Sequence, residues 1–200
     1  LISGQLKASR GQVGLYGEDI TGLSAPQRTL RGIGRAFQLT NLFPQLTVRE
    51  NVRLAVQSRA GKGLSLFSLA TGHKELIEKA DHFLARVDLM DRADDITANL
   101  PHGGQRKLEV AVLLALETDV MMFDEPTAGM SVDEVPVILD LIEHIKKDES
   151  KTILLVEHKM DVVSSLADRI IVLHNGFLVA DGAQREVIGS PIVPEAYLET

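Results

Sequence analysis

The 200-residue chain contains no cysteine and no tryptophan, and aromatic side chains make up only 4% of it. Without cysteine there is neither a disulfide framework nor a thiol nucleophile, a composition that fits a reducing compartment. Histidine is sparse as well. His73, His82, His102, His144, His158 and His174 show no paired spacing that would set two of them on one face beside a third ligand, so a zinc site is not expected. No apolar run approaches the roughly 18 residues a membrane-spanning helix needs, and the opening LISGQLKASRG lacks the basic start and apolar middle of a signal peptide. Positive charge is short too: 21 Lys and Arg against 28 Asp and Glu leave a net charge of −7. With no basic stripe to follow a phosphate backbone, nucleic acid is not an expected partner.

What remains is the composition of an ordinary globular chain, 44% hydrophobic and 24% charged, long enough for one main core or a core with a sub-domain. LISG reads as the end of a helix, with Gly4 as the residue that tolerates a left-handed cap, and a chain that starts with Leu1 in such a place is expected to be a fragment. Residues 11–17, GQVGLYG, read as a strand, followed by a turn from Glu18 to Thr21. Leu76, Ala80, Phe83, Leu84 and Val87 recur at three- and four-residue steps, which predicts an amphipathic helix in a largely helical middle stretch. Ser58 to Gly72 fits either a loop or a short helical insertion. From Gln105 onward helices alternate with continuously apolar strands (DVMMF, TILLVEH, RIIVLHNG), the pattern of a parallel sheet covered on both faces. Asn175-Gly176 then predicts a tight turn with FLVADG as the return strand.

Three places could carry chemistry. The strand VMMF ends in Asp124 and Glu125, and an α/β sheet binds ligands at the carboxyl edge of its strands. One carboxylate there suits Mg²⁺, which takes few protein ligands besides water and phosphate oxygens, and the second suits a water. Taken alone, the pair also reads as a solvated acidic turn. The second place is the strand TILLV, which ends near His158, a residue that alone reads more simply as a hydrogen-bonded structural histidine. The third is LPHGGQR, where His102, Gly103, Gly104 and Gln105 open a helix whose exposed backbone N–H groups can receive an anion. A plain junction between loop and helix is the alternative there.

In order along the chain, IGRAFQLTNLFPQLTVRENV, LPHGGQR, DVMMFDEPTAG and VEH resemble the Q-loop, signature motif, Walker B strand and H-loop of the ATP-binding subunits of ABC transporters. The resemblance runs the length of the chain, and GIGRAFQ, VEHKMDVV and SPIVPEAYLET are most similar to subunits serving branched-chain amino acid or related amide importers. It implies an α/β, P-loop NTPase-like sheet made by residues 1–37 and 106–200, interrupted by a helical sub-domain at 38–105. It implies ATP and Mg²⁺ as cofactors, with Asp124 on the metal, Glu125 polarising the attacking water, His158 at the γ-phosphate and Gln38 touching metal and water. Residues His102 to Gln105 would face a nucleotide held by a second ATPase subunit. Transmembrane permease subunits are the other implied partners, which places the protein in the cytoplasm at the inner face of the cell membrane.

The chain departs from that pattern in three places. No G-x-x-x-x-G-K-S/T loop occurs; at the only Gly-Lys pair, Gly61-Lys62, Val56 stands where the first Gly belongs and Gly63 where Ser or Thr belongs. Without that amide cradle and its lysine the 200 residues are expected to hold ATP weakly, and a degenerate or truncated module that keeps partner contacts without hydrolysing ATP is the alternative reading. Pro101 stands where the signature of relatives favours Ser, and it has neither hydroxyl nor N–H. Ser131 stands where the loop after Walker B usually has Asp.

Overall fold

A computed structural model describes residues 1–36, 42–60 and 71–190, the side chains of 71–73 excepted. The chain divides into two compact units, Leu1–Val156 and Glu157–Thr200. The first holds a three-stranded parallel sheet in the order β3 (Ile33–Ala36), β4 (Val120–Asp124), β5 (Thr152–Val156). Its register runs Ile33 to Val120 and Val120 to Thr152, so that Asp124 pairs with Val156 at the carboxyl edge. Central β4 is the continuous apolar run of the sequence, with Met121, Met122 and Phe123 buried.

Helices lie on one face of this sheet; the other face, with Ile33, Val120, Met122 and Leu154, packs on Val13, Leu15, Ile20 and Leu23 of the opening segment, and RIIVLHNG, read as a further parallel strand, pairs instead in an antiparallel hairpin. The helix α4 (His102–Ala115) precedes β4, and α5 (Val135–Lys146) connects β4 to β5, burying Ile138, Ile142 and Ile145. At Gly34 the sheet and α4 approach so closely that a Cβ would stand 2.2 Å from Leu113 Cδ1. On α4 also pack α2 (Val48–Arg59) and α3 (Thr71–Arg86). The α3 periodicity holds, since Leu76, Ala80, Phe83, Leu84 and Val87 are all buried. Thr47 caps α2 by accepting the Glu50 N–H at 3.1 Å. Behind that cap the buried Asn51 amide donates to Phe43 O, Thr47 O and Thr97 Oγ1, which fixes the chain entering α2 to the chain entering α4.

The first 30 residues differ from the sequence reading. Leu1–Gly4 close a turn, Gly4 N–H to Leu1 O at 3.0 Å with Gly4 at φ +80°, and no helix is present there among the described residues. What read as one strand over 11–17 is a two-residue hairpin of β1 (Gly14–Leu15) with β2 (Glu18–Asp19) about Tyr16 and Gly17, both at positive φ. The short α1 (Ala25–Leu30) follows, opened by a Ser24/Gln27 capping box. Its Arg28, 3% exposed, bonds four backbone carbonyls, those of Leu1, Ile2, Thr21 and Leu23. That holds the opening turn against α1.

In the second unit α6 (Met160–Leu166) leads into the antiparallel hairpin of β6 (Arg169–His174) and β7 (Phe177–Ala183), followed by α7 (Gln184–Ile188). Asn175 and Gly176 make its turn at φ +49° and +80°, the backbone that an Asn-Gly pair accepts with little strain. Ile170 and Val187 form its small core with Met160, Val163, Ala167, Val172 and Ala180.

Candidate functional site

Asp124 is the last residue of β4, and its carboxylate is half-buried. The next peptide still belongs to the sheet, because Glu125 N–H donates to Val156 O at 2.8 Å. Then the backbone turns sharply: Glu125 sits at φ +48°, a left-handed conformation that costs a non-glycine residue of order 1–3 kcal/mol and tends to be kept where function needs it. This bend exposes the Glu125 side chain while Pro126 and Thr127 turn back into the core. Two carboxylates adjacent in sequence therefore have different surroundings, Asp124 held within the sheet edge and Glu125 presented to solvent.

Arg35 is the partner that holds Asp124. It pairs in register with Met122, so it shares a sheet face with Asp124 two residues farther along β4. Its Nη2 stands 2.5 Å from Asp124 Oδ2, and its Nη1 reaches Ser3 Oγ and Gln5 Oε1.

The LPHGGQ segment forms the start of α4, with Pro101 as N-cap at φ −61°, ψ 162° and His102 as the first helical residue. Pro101 makes no side-chain cap. Gln105 ties the turn back by donating from Nε2 to Leu100 O at 3.1 Å. The turn after Asp124 comes up against this one, since a Cβ on Gly129 would lie 3.6 Å from His102 Cε1. Glu134, just before α5, joins the two segments, accepting the Gly103 N–H on Oε1 at 3.1 Å and the Ser131 N–H and Oγ–H on Oε2 at 3.1 and 2.9 Å. These bonds from Ser131, then that from Gly103 and the nearby His102 charge, hold the Glu134 carboxyl below its ordinary range.

The first unit thus assembles Asp124, Glu125 and the His102–Gln105 turn through adjoining segments. His158 is the second residue of the second unit, with its side chain 64% exposed. Its backbone N–H donates to Glu157 Oε2 at 3.1 Å, as does that of Lys159 at 3.3 Å, so the buried Glu157 carboxylate organises the approach to α6. Gln38, the Gly61-Lys62 pair and most of the Ser58–Gly72 segment lie outside the described residues. Sequence reasoning passed over Arg35 and Glu134. A guanidinium in the otherwise uncharged strand IGRA and a Ser-x-x-Glu spacing at 131–134 are the signals that mark them.

Among the described residues no group of three or more His, Asp or Glu side chains could hold a metal by itself. A half-buried carboxylate at a strand end is one donor to a hard cation that takes the rest of its shell from water and phosphate oxygens, and Asp124, whose Oδ2 is also bonded by Arg35, fits Mg²⁺ in that sense.

The sequence matches the family model described as ABC transporter over residues 1–128. It is 33% identical over 202 residues to the high-affinity branched-chain amino acid transport ATP-binding protein LivG of Salmonella typhimurium, covering 98% of this chain and 79% of the relative. The same coverage holds at 32% identity for BraF of Pseudomonas aeruginosa, which carries the same description. Among solved structures, the ADP conformation of MJ1267, an ATP-binding cassette of an ABC transporter, superposes with a TM-score of 0.81 at 27% identity over 100% of this chain and 81% of that one. A dimeric post-hydrolysis state of the cassette MJ0796, bound to ADP and Pi, gives 0.76 at 25% identity over 92% and 78%. The β3–β4–β5 sheet with its covering helices is accordingly the α/β sheet of a P-loop NTPase, and the chain belongs to the ABC transporter family as an ATP-binding subunit.

Proposed function

We propose that this chain couples ATP hydrolysis to the import of branched-chain amino acids or similar small solutes, working with a second ATPase subunit and with transmembrane permease subunits at the cytoplasmic face of the cell membrane. The observation that carries the reading is the end of β4, where a half-buried Asp124 and an outward-turned Glu125 follow one another beside the amide turn of α4. LivG and BraF, both named for branched-chain amino acid transport, support the solute class.

In this reading Asp124 holds Mg²⁺, which when bound with nucleotide supplies charge neutralisation on the phosphate oxygens. The left-handed backbone at Glu125 directs its carboxylate outward, where it orients and polarises the attacking water. His158 bears on the γ-phosphate, and Gln38 contacts metal and water. His102, Gly103, Gly104 and Gln105 receive the phosphate of a nucleotide carried by the second subunit, through backbone N–H groups at a helix N-terminus. Residues 38–105 act as a helical sub-domain against the sheet layer of 1–37 and 106–200, an arrangement the packing of α2 and α3 on α4 supports. Because no phosphate loop lies within these 200 residues, they bind nucleotide weakly by themselves and hydrolyse it only where that cradle is supplied.

The test is Glu125→Gln in the assembled transporter. Turnover falls by about 10²–10⁴ while Mg-ATP binding persists; unchanged turnover overturns the reading.

A further inference from the structure

The first turn of α4 carries an anion that its own sequence does not supply. Pro101 can offer neither hydroxyl nor carboxylate to the open N–H groups that follow. The acceptor comes instead from Glu134, 31 residues away, whose Oε1 stands 3.1 Å from Gly103 N. The other oxygen, Oε2, is engaged by Ser131 in a Ser-x-x-Glu capping turn. One carboxylate therefore serves two segments, one oxygen each. The fit depends on glycine, since a Cβ at position 103 would lie 2.3 Å from Glu134 Oε1. The carboxyl is held ionised by the Ser131 bonds foremost, so a full negative charge sits at the positive end of a 14-residue helix.

We propose that Glu134 is the resident anion of the α4 turn, occupying the Gly103 N–H until an incoming phosphate displaces it, and that it thereby sets the affinity of this turn for phosphate. This rests on the reading above, in which the α4 turn receives the phosphate of a nucleotide. A carboxylate and a phosphate compete for the single Gly103 N–H, because two anionic oxygens brought within a few ångströms of one another repel. A phosphate displaces the carboxylate when it brings more charge and bonds more amides of the turn than Glu134 does. The contact is a threshold: weak or singly charged anions leave Glu134 in place, and polyphosphates remove it.

The experiment uses ¹⁵N spectra of the whole chain as wild type, Glu134→Ala and Glu134→Gln, titrated with inorganic tripolyphosphate at constant ionic strength. In the wild type the Gly103 amide proton resonates downfield, as expected of a charge-assisted bond, and it moves upfield in Glu134→Ala. Half-saturation at the Gly103 and Gly104 amides falls about five-fold in Glu134→Ala, the size of one neighbouring charge in a partly exposed site, and by less in the isosteric Glu134→Gln. Should Glu134→Ala fail to fold, which the same spectra reveal, Glu134→Gln must show the change in the same direction. A Gly103 resonance indifferent to both substitutions, or equal half-saturation in all three proteins, overturns the proposal and leaves the ATPase reading standing. No response of the α4 turn to tripolyphosphate in any of them likewise overturns the proposal, while the ATPase reading stands or falls separately on Glu125→Gln.

Discussion

Arg35 and Asp124 form an ion pair across the adjacent strands β3 and β4, Nη2 to Oδ2 at 2.5 Å, with the two side chains 22% and 18% exposed. The pair joins the strand end that carries the acidic residues to the opening turn, through the further contacts of Arg35 with Ser3 and Gln5. Removing one partner strands the other charge where water reaches it poorly. Arg35→Ala is therefore expected to destabilise the chain by about 1–3 kcal/mol, read from urea unfolding. A loss below about 0.5 kcal/mol, the usual range of surface changes, would contradict the contact.

Gly34 is where sheet and helix meet. Gly34→Ala places a methyl 2.2 Å from Leu113 Cδ1 and 2.7 Å from the buried Thr118 Oγ1, in a packed interior that relaxes only in part. A loss of about 1–3 kcal/mol is expected. A melting temperature equal to that of the wild type would show that β3 and α4 stand farther apart.

Glu109, on α4, is 6% exposed and paired with Arg106 at 3.0 Å. Burial raises its carboxyl above the ordinary 4.5 and outweighs Arg106, which acts to lower it. A carboxyl raised in the folded state binds its proton more tightly there than in the unfolded chain. Its contribution is thus fully present below pH 4.5 and is lost as pH climbs through the raised value. Glu109→Gln has no such proton, so its stability declines less over that window. Parallel urea midpoints from about pH 4 to 7 decide the point, and identical slopes in the two proteins would contradict it.

Pro101 bears on function. A serine there supplies a hydroxyl at the start of α4, worth one hydrogen bond to a charged group, or about ten- to a hundred-fold in rate where the phosphate uses it. Pro101→Ser is expected to raise the turnover of the assembled transporter, and an unchanged rate would show that the proline does not weaken the site.

Much of the site's frame is legible in the sequence because its elements are long and periodic. VMMF, TILLV and the Asn-Gly hairpin are strands, and the apolar steps of α3 lie on a buried face. What is not legible arises over distance or at very short range. The Arg35–Asp124 contact spans 89 residues and Glu134–Gly103 spans 31, and no local propensity encodes either. The β1–β2 hairpin has strands of two residues, too short for any period to show, and its turn uses a left-handed Tyr16 that sequence rules disfavour. The opening LISG has the Gly4 of a helix end, yet in the structure it closes a turn pinned by Arg28.

The proposed ATPase site on Asp124 and Glu125 is expected to need a G-x-x-x-x-G-K-S/T phosphate loop, a motif that does not occur in these 200 residues. The most direct measurement is Mg-ATP binding and turnover by this chain beside the same chain preceded by a segment bearing a G-x-x-x-x-G-K-S/T loop, each as wild type and as Glu125→Gln. Tight binding only in the longer form, with turnover there that Glu125→Gln abolishes, is the predicted result. Equally tight binding by both forms, or turnover indifferent to Glu125→Gln, would contradict it.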